Sequence, residues 1–108
     1  MKKLESKGES AGRSAFAELE QIPNVGPAVA ADLRRLGVAR PADLVGRDPY
    51  QLYDELCRVT KQRHDPCLLD TFIAAVRFVG GEQARPWWAY TAERKREMAA
   101  RIAQAPKV

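Results

Sequence analysis

Large apolar residues recur along this chain at intervals of three and four, in runs cut by proline and glycine. That spacing gathers side chains on one stripe of a helix, whereas a strand needs strict alternation, and no alternating segment is found. From Ser14, a good N-cap, "AFAELEQI" predicts two helical turns with Phe16, Leu19 and Ile22 on one side, stopped by Pro23. "PNVG" is a turn, Pro27 fits the first turn of the next helix, and Val29, Leu33 and Leu36 recur at i, i+4 and i+7 before Gly37 caps the end.

"RPADLVG" predicts one short helical turn ending near Gly46. "RDPYQLYDELCRV" then starts on Asp48 and Pro49 and carries Leu52, Leu56 and Val59 on one stripe. The same Asp-Pro start opens "HDPCLLDTFIAAVRFVGG", with Leu69, Phe72, Ile73 and Val76 facing inward and Gly80 and Gly81 at the end. After "EQARP", the run Trp87, Trp88, Tyr90 leads into "TAERKREMAARIAQA", a charged helix with Met98 and Ile102 as its large apolar residues. "LVGRDP" echoes "IPNVGP", which suggests two related helix-turn-helix units in tandem. The expected fold is all-α, a small single domain of about five helices.

At 108 residues there is room for one small domain with a real core. With 45% hydrophobic and 30% charged residues the balance is that of a soluble globular protein, and no apolar run approaches the ~20 residues of a membrane helix. "MKKLESKGESAGRSAF" lacks the apolar stretch of a signal peptide, so the expected compartment is the cytoplasm, with Cys57 and Cys67 reduced. The net charge of +4 is unevenly spread: residues 1–13 carry +2, residues 85–108 carry +4, and residues 14–84 carry −2. The chain therefore divides into a mobile basic arm (1–13), a helical domain (14–84), and a Trp-rich segment with a basic helix packed on it (85–108). A phosphate-binding surface would draw much of its charge from the two ends.

"LEQIPNVGPAVAADLRRLG" resembles a helix-hairpin-helix motif, with Ile22, Pro23, Val25, Gly26, Ala30, Leu33 and Gly37 at the motif's positions. Asn24 stands where the motif has its first glycine, and asparagine tolerates a left-handed backbone. The longer stretch from Leu19 to about Trp88, through "LYDELC" and "HDPCLLDTF", is similar to the pathogenicity-locus family of small bacterial proteins, often labelled mitomycin-resistance proteins. A more distant likeness is to the C-terminal domain of competence regulators of the TfoX type. These resemblances imply a helical fold; they imply less about activity, because fold and function separate easily.

In DNA-binding members of the wider motif class, backbone N–H groups of the hairpin and the next helix start contact a phosphate. Carried onto this chain, the turn residue is Asn24 and the donors are the amides of Val25, Gly26 and Ala28, while Pro27 has none. The nearest following bases, Arg34 and Arg35, lie about 10 Å or more down the helix. Such contact is sequence-independent, since phosphate contacts position a protein without reading bases. The same turn also serves simply to pack two short helices, with Gly26 allowing close approach, or to meet a protein partner; the residues alone leave these readings open.

Trp87, Trp88 and Tyr90 beside Arg94, Lys95 and Arg96 suit an aromatic and basic platform for single-stranded nucleic acid, an anchor for the last helix, or a hot spot for another protein. Cys57, His64 and Cys67 are metal-ligand types, but Cys-x6-His-x2-Cys matches no common zinc spacing, and packing is the expected role, with pairing on oxidation a minor alternative. His64 lacks a partnered nucleophile, and Asp54 and Glu55 are sequence neighbours that diverge on a helix. The expectation is a non-enzyme without cofactor. Its partner is duplex or single-stranded DNA held by phosphate contacts, or else a protein, and not a membrane.

Overall fold

The computed structural model describes residues 16–104. The expected arm at 1–13 and the Ser14 cap lie outside the described residues. Four α-helices follow one another: α1 (Pro27–Arg35), α2 (Pro49–Thr60), α3 (Pro66–Val79) and α4 (Thr91–Gln104). Three short 3-10 turns precede α1, α2 and α4 at Leu19–Gln21, Pro41–Leu44 and Trp87–Tyr90. No strand occurs among the described residues, and the fold is an all-helical single domain.

The first expected helix is cut short. Glu18 is extended (φ −117°, ψ 139°), and Ile22, pushed out of the helical region by Pro23, is extended at the other end (φ −77°, ψ 131°). Three residues remain between them, enough for one 3-10 turn that still buries Leu19 and Ile22.

The three Pro-started helices end alike. At α1, the Gly37 amide donates to Arg34 O and the Val38 amide to Leu33 O, with Gly37 at φ +87°. This pair of bonds closes the last turn and lets Val38 fold back on the core. At α3, Gly81 takes the same part at φ +108°. At α2 a lysine does so: Lys61 lies at φ +56°, where a side chain is strained.

The core centres on α3. Leu69, Phe72, Ile73, Ala74, Ala75 and Val79 are all buried, because α2, the second and third 3-10 turns and α4 cover it from different sides. Leu33, Leu44, Leu52 and Leu56 fill the remaining interior, each worth about 1.5–3 kcal/mol of apolar burial.

α4 has no buried residue, and Ile102 is 71% exposed. Its attachment is polar, apart from the buried Tyr90 just before it and the half-buried Met98. Asp70, wholly buried on α3, accepts from Arg94 Nε (2.8 Å) and Thr91 Oγ1 (2.7 Å). Arg77 pairs with Glu93 and lies over the Tyr90 ring. Arg101 reaches Asp48 (3.4 Å) and stacks 4.2 Å above the Tyr50 ring. These contacts tie α4 to both α2 and α3.

Candidate nucleic-acid interface

Two turns in this chain share a left-handed residue and the hydrogen bond that closes the turn around it. In the first, Ile22 is extended, Asn24 sits at φ +74°, the Val25 amide donates to Ile22 O (3.1 Å), and Gly26-Pro27 opens α1. In the second, Gly46 sits at φ +77°, the Arg47 amide donates to Leu44 O (3.0 Å), and Asp48-Pro49 opens α2; Leu44, the counterpart of the extended Ile22, instead ends a 3-10 turn. The resemblance between "IPNVGP" and "LVGRDP" is thus matched in geometry.

Their chemistry differs at the helix start. Asp48 accepts from the Tyr50 amide (2.9 Å), and Asp65 accepts from the Cys67 amide (2.8 Å) at the start of α3. Gly26 has no side chain to offer, so no cap closes α1. Among the described residues the amides of Gly26, Ala28 and Val29 have no acceptor; the first main-chain bond of α1 runs from Ala30 to Gly26 O (2.9 Å). Unpaired amides at a helix start carry partial positive charge.

Two expectations about this turn need correction. The Val25 amide is already committed to Ile22 O and its side chain is buried, so it is not an available donor. Gly26 does not permit a close approach: a Cβ there meets nothing within 4 Å, and φ −96°, ψ −172° suits any residue. Helix packing does not require a glycine at this position.

The bases are distributed differently from the sequence expectation. Arg34 is held by the Glu20 carboxylate at 3.0 Å and approaches Glu18 at 3.6 Å; the bond to Arg34 holds the Glu20 carboxyl below its usual range. Arg35 pairs with Asp32 (3.2 Å). Arg94 is no surface base, because it is spent on buried Asp70 and its side chain is 13% exposed. Lys95 and Arg96 are exposed without an ion pair among the described residues, on the α4 side.

Arg85, which the sequence alone does not single out, lies beside the first turn. Asn24 Nδ2 donates to Arg85 O (2.8 Å), joining the first turn to a segment 61 residues away. Pro23, Asn24, Ala84, Arg85 and Pro86 line a shallow groove of about 270 Å³ beside the turn. Only the tertiary contact links these segments, although an exposed Arg before "PWW" was the available signal.

Within the Trp-rich segment, Tyr90 is buried and offers no partner surface. Trp87 is half-buried and meets the exposed Trp88 edge to face, with ring centroids 5.5 Å apart. The aromatic cluster therefore both anchors α4, through Tyr90, and presents one indole to solvent.

The cysteines and histidine form no metal constellation: among the described residues no group of three or more His, Cys, Asp or Glu could hold an ion. His64 Nε2 bonds Thr60 Oγ1 (2.8 Å), and its carbonyl accepts from the Tyr53 hydroxyl. Cys57 and Cys67 are free, and the bond to Asp65 pushes the Cys67 thiol up, away from the reactive thiolate. Asp54 and Glu55 both reach the rim of a shallow depression with Arg47, Gln51 and Arg58, where Glu55 is paired to Arg58 (3.4 Å). No helix among the described residues is long and apolar enough to cross a membrane.

Comparison with known proteins gives one family and one named relative. A protein of Streptomyces lavendulae named mitomycin resistance protein McrB is 47% identical over 83 residues, covering 77% of this chain and 79% of its own length. No solved structure matches the chain. The Pathogenicity locus family matches residues 12–96, a span that takes in both turns, the core helix α3 and the Trp-rich segment, and the chain belongs to that family.

Proposed function

We propose that this protein is a non-catalytic, sequence-independent DNA-binding protein of the cytoplasm, gripping phosphate through a helix-hairpin-helix at its first turn. The observation that carries the reading is the contrast between the two turns. Around the same left-handed turn, the second caps the Tyr50 amide with an aspartate, and the first leaves the amides of Gly26, Ala28 and Val29 open. An acid at such a position would repel phosphate, and glycine admits it. Arg85, whose main-chain carbonyl accepts from Asn24 and which lines the groove beside the turn, supplies the basic support that the distant, acid-bound Arg34 does not. Lys95 and Arg96 add charge from α4. Mitomycin resistance is the cellular role that the family link suggests for this binding.

The test is fluorescence anisotropy of labelled DNA at several salt concentrations, with the full chain and an Arg85→Glu variant. Binding should weaken steeply with salt, and the variant should lower the log-log salt slope by about one or more. A salt-insensitive association, or none, would remove the reading. A protein-interaction module is the competing reading, favoured by Ile102, which is 71% exposed on α4, and it expects a partner contact that salt barely changes.

A further inference from the structure

We infer that the site selects unpaired nucleic-acid strands, with Trp88 stacking on a base while the first turn and Arg85 hold the adjoining phosphate. The inference rests on the phosphate reading above and adds the strand class. Trp88 is 63% exposed, which for the largest apolar side chain is unusual, and it follows Arg85 by three residues. The Ala89 amide donates to Pro86 O (3.0 Å), so the segment turns tightly and keeps Trp88 near the groove that Arg85 and Pro86 line with Asn24. Three peptide steps limit the Arg85 to Trp88 Cα separation to about 11 Å.

The ring is also braced. Trp87 meets it edge to face at 85°, and the buried Tyr90 fixes the 3-10 turn from which both indoles project. An exposed indole three residues after Arg85, in the segment that Asn24 ties to the first turn, suits a planar ligand carrying a negative charge. An unpaired nucleotide offers both features, whereas in a duplex the base faces are already stacked on one another.

The experiment titrates the full chain with a labelled oligothymidylate and with a duplex of equal length, reading anisotropy and the intrinsic emission of the two tryptophans. The single strand should bind more tightly and quench the emission. Trp88→Ala should weaken single-strand binding about 5- to 150-fold, the range for one base stacked on an aromatic ring, while leaving duplex binding and the melting temperature unchanged. Trp88→Phe should restore most of the loss. Equal affinity for both probes with Trp88→Ala neutral would overturn strand selection and leave the phosphate reading standing. Failure of both probes to bind at moderate salt would overturn both, and would leave Trp88 as a surface for a protein partner.

Discussion

Gly26→Asp separates the binding role of the first turn from its role in folding. The structure supplies its own precedent: Asp48, at the matching position of the second turn, accepts from the amide two residues on at 2.9 Å. A Cβ at position 26 meets nothing within 4 Å, and φ −96°, ψ −172° is an ordinary N-cap conformation. The new carboxylate should therefore cap the Ala28 amide. The better cap adds a few tenths of a kcal/mol over glycine. Charge against the helix dipole adds about 0.3–1 kcal/mol, and lost unfolded-state freedom about 0.4–1 kcal/mol. The net gain is about 1–2 kcal/mol, at roughly 4–8 °C in melting temperature per kcal/mol for a domain of this size.

DNA binding should move the other way. A phosphate would lose a charge-assisted hydrogen bond, worth about 1.5–3 kcal/mol, and meet a like charge, so affinity should fall by about tenfold or more. Thermal melting and DNA anisotropy on the same sample read both effects. A destabilised variant would refute the reading that position 26 has no packing need for glycine. A stabilised variant with undiminished affinity would refute phosphate contact at these amides.

Asp70→Ala leaves Arg94 largely buried without its partner and should cost about 3–5 kcal/mol in urea unfolding; a loss under 1 kcal/mol would show that α4 docks by other means. Replacing both partners, Asp70→Leu with Arg94→Met, should cost less than Asp70→Ala alone. The bonds from Cys67 hold the Asp65 carboxyl below its ordinary value near 3.8, so its stabilising effect is complete above that pH and is lost as pH falls through the lowered value. Asp65→Ala should therefore flatten the decline of melting temperature below about pH 4, and an unchanged slope there would refute the cap's part in acid stability. Lys61→Gly should stabilise by about 0.5–1 kcal/mol in thermal melts, as relief of left-handed strain outweighs the extra freedom of glycine in the unfolded chain. Destabilisation by this substitution would mean that the lysine side chain contributes more than its strain costs.

Spacing and punctuation alone determined most of the architecture. Proline after Gly26, Asp48 and Asp65 marked three helix starts, because a missing N–H costs little in a first turn, and the apolar positions at three and four residues marked their inner faces. Gly37 was legible as a left-handed cap for the same local reason. The first helix was misjudged at its N-terminal side, where the extended Glu18 confines it to a single turn. The left-handed Lys61 was not legible either, since its two closing bonds to α2 hold a residue whose own preference lies elsewhere.

The candidate site depended far more on tertiary structure. Sequence placed Arg94 with Lys95 and Arg96 as one basic cluster, yet helical geometry turns Arg94 inward to Asp70 and its two neighbours outward. It placed Tyr90 with the tryptophans, and packing against α3 buried it while leaving Trp88 exposed. It had no means of joining Asn24 to Arg85, because one side-chain to carbonyl bond across 61 residues leaves no periodic trace. Local backbone preferences and apolar spacing are written in neighbouring residues, so the chain by itself determined most helix starts and inner faces, the length of the first turn and the left-handed Lys61 excepted. Which charges remain free and which segments meet at the first turn were decided only when burial and long-range hydrogen bonds selected among the groups the helices presented.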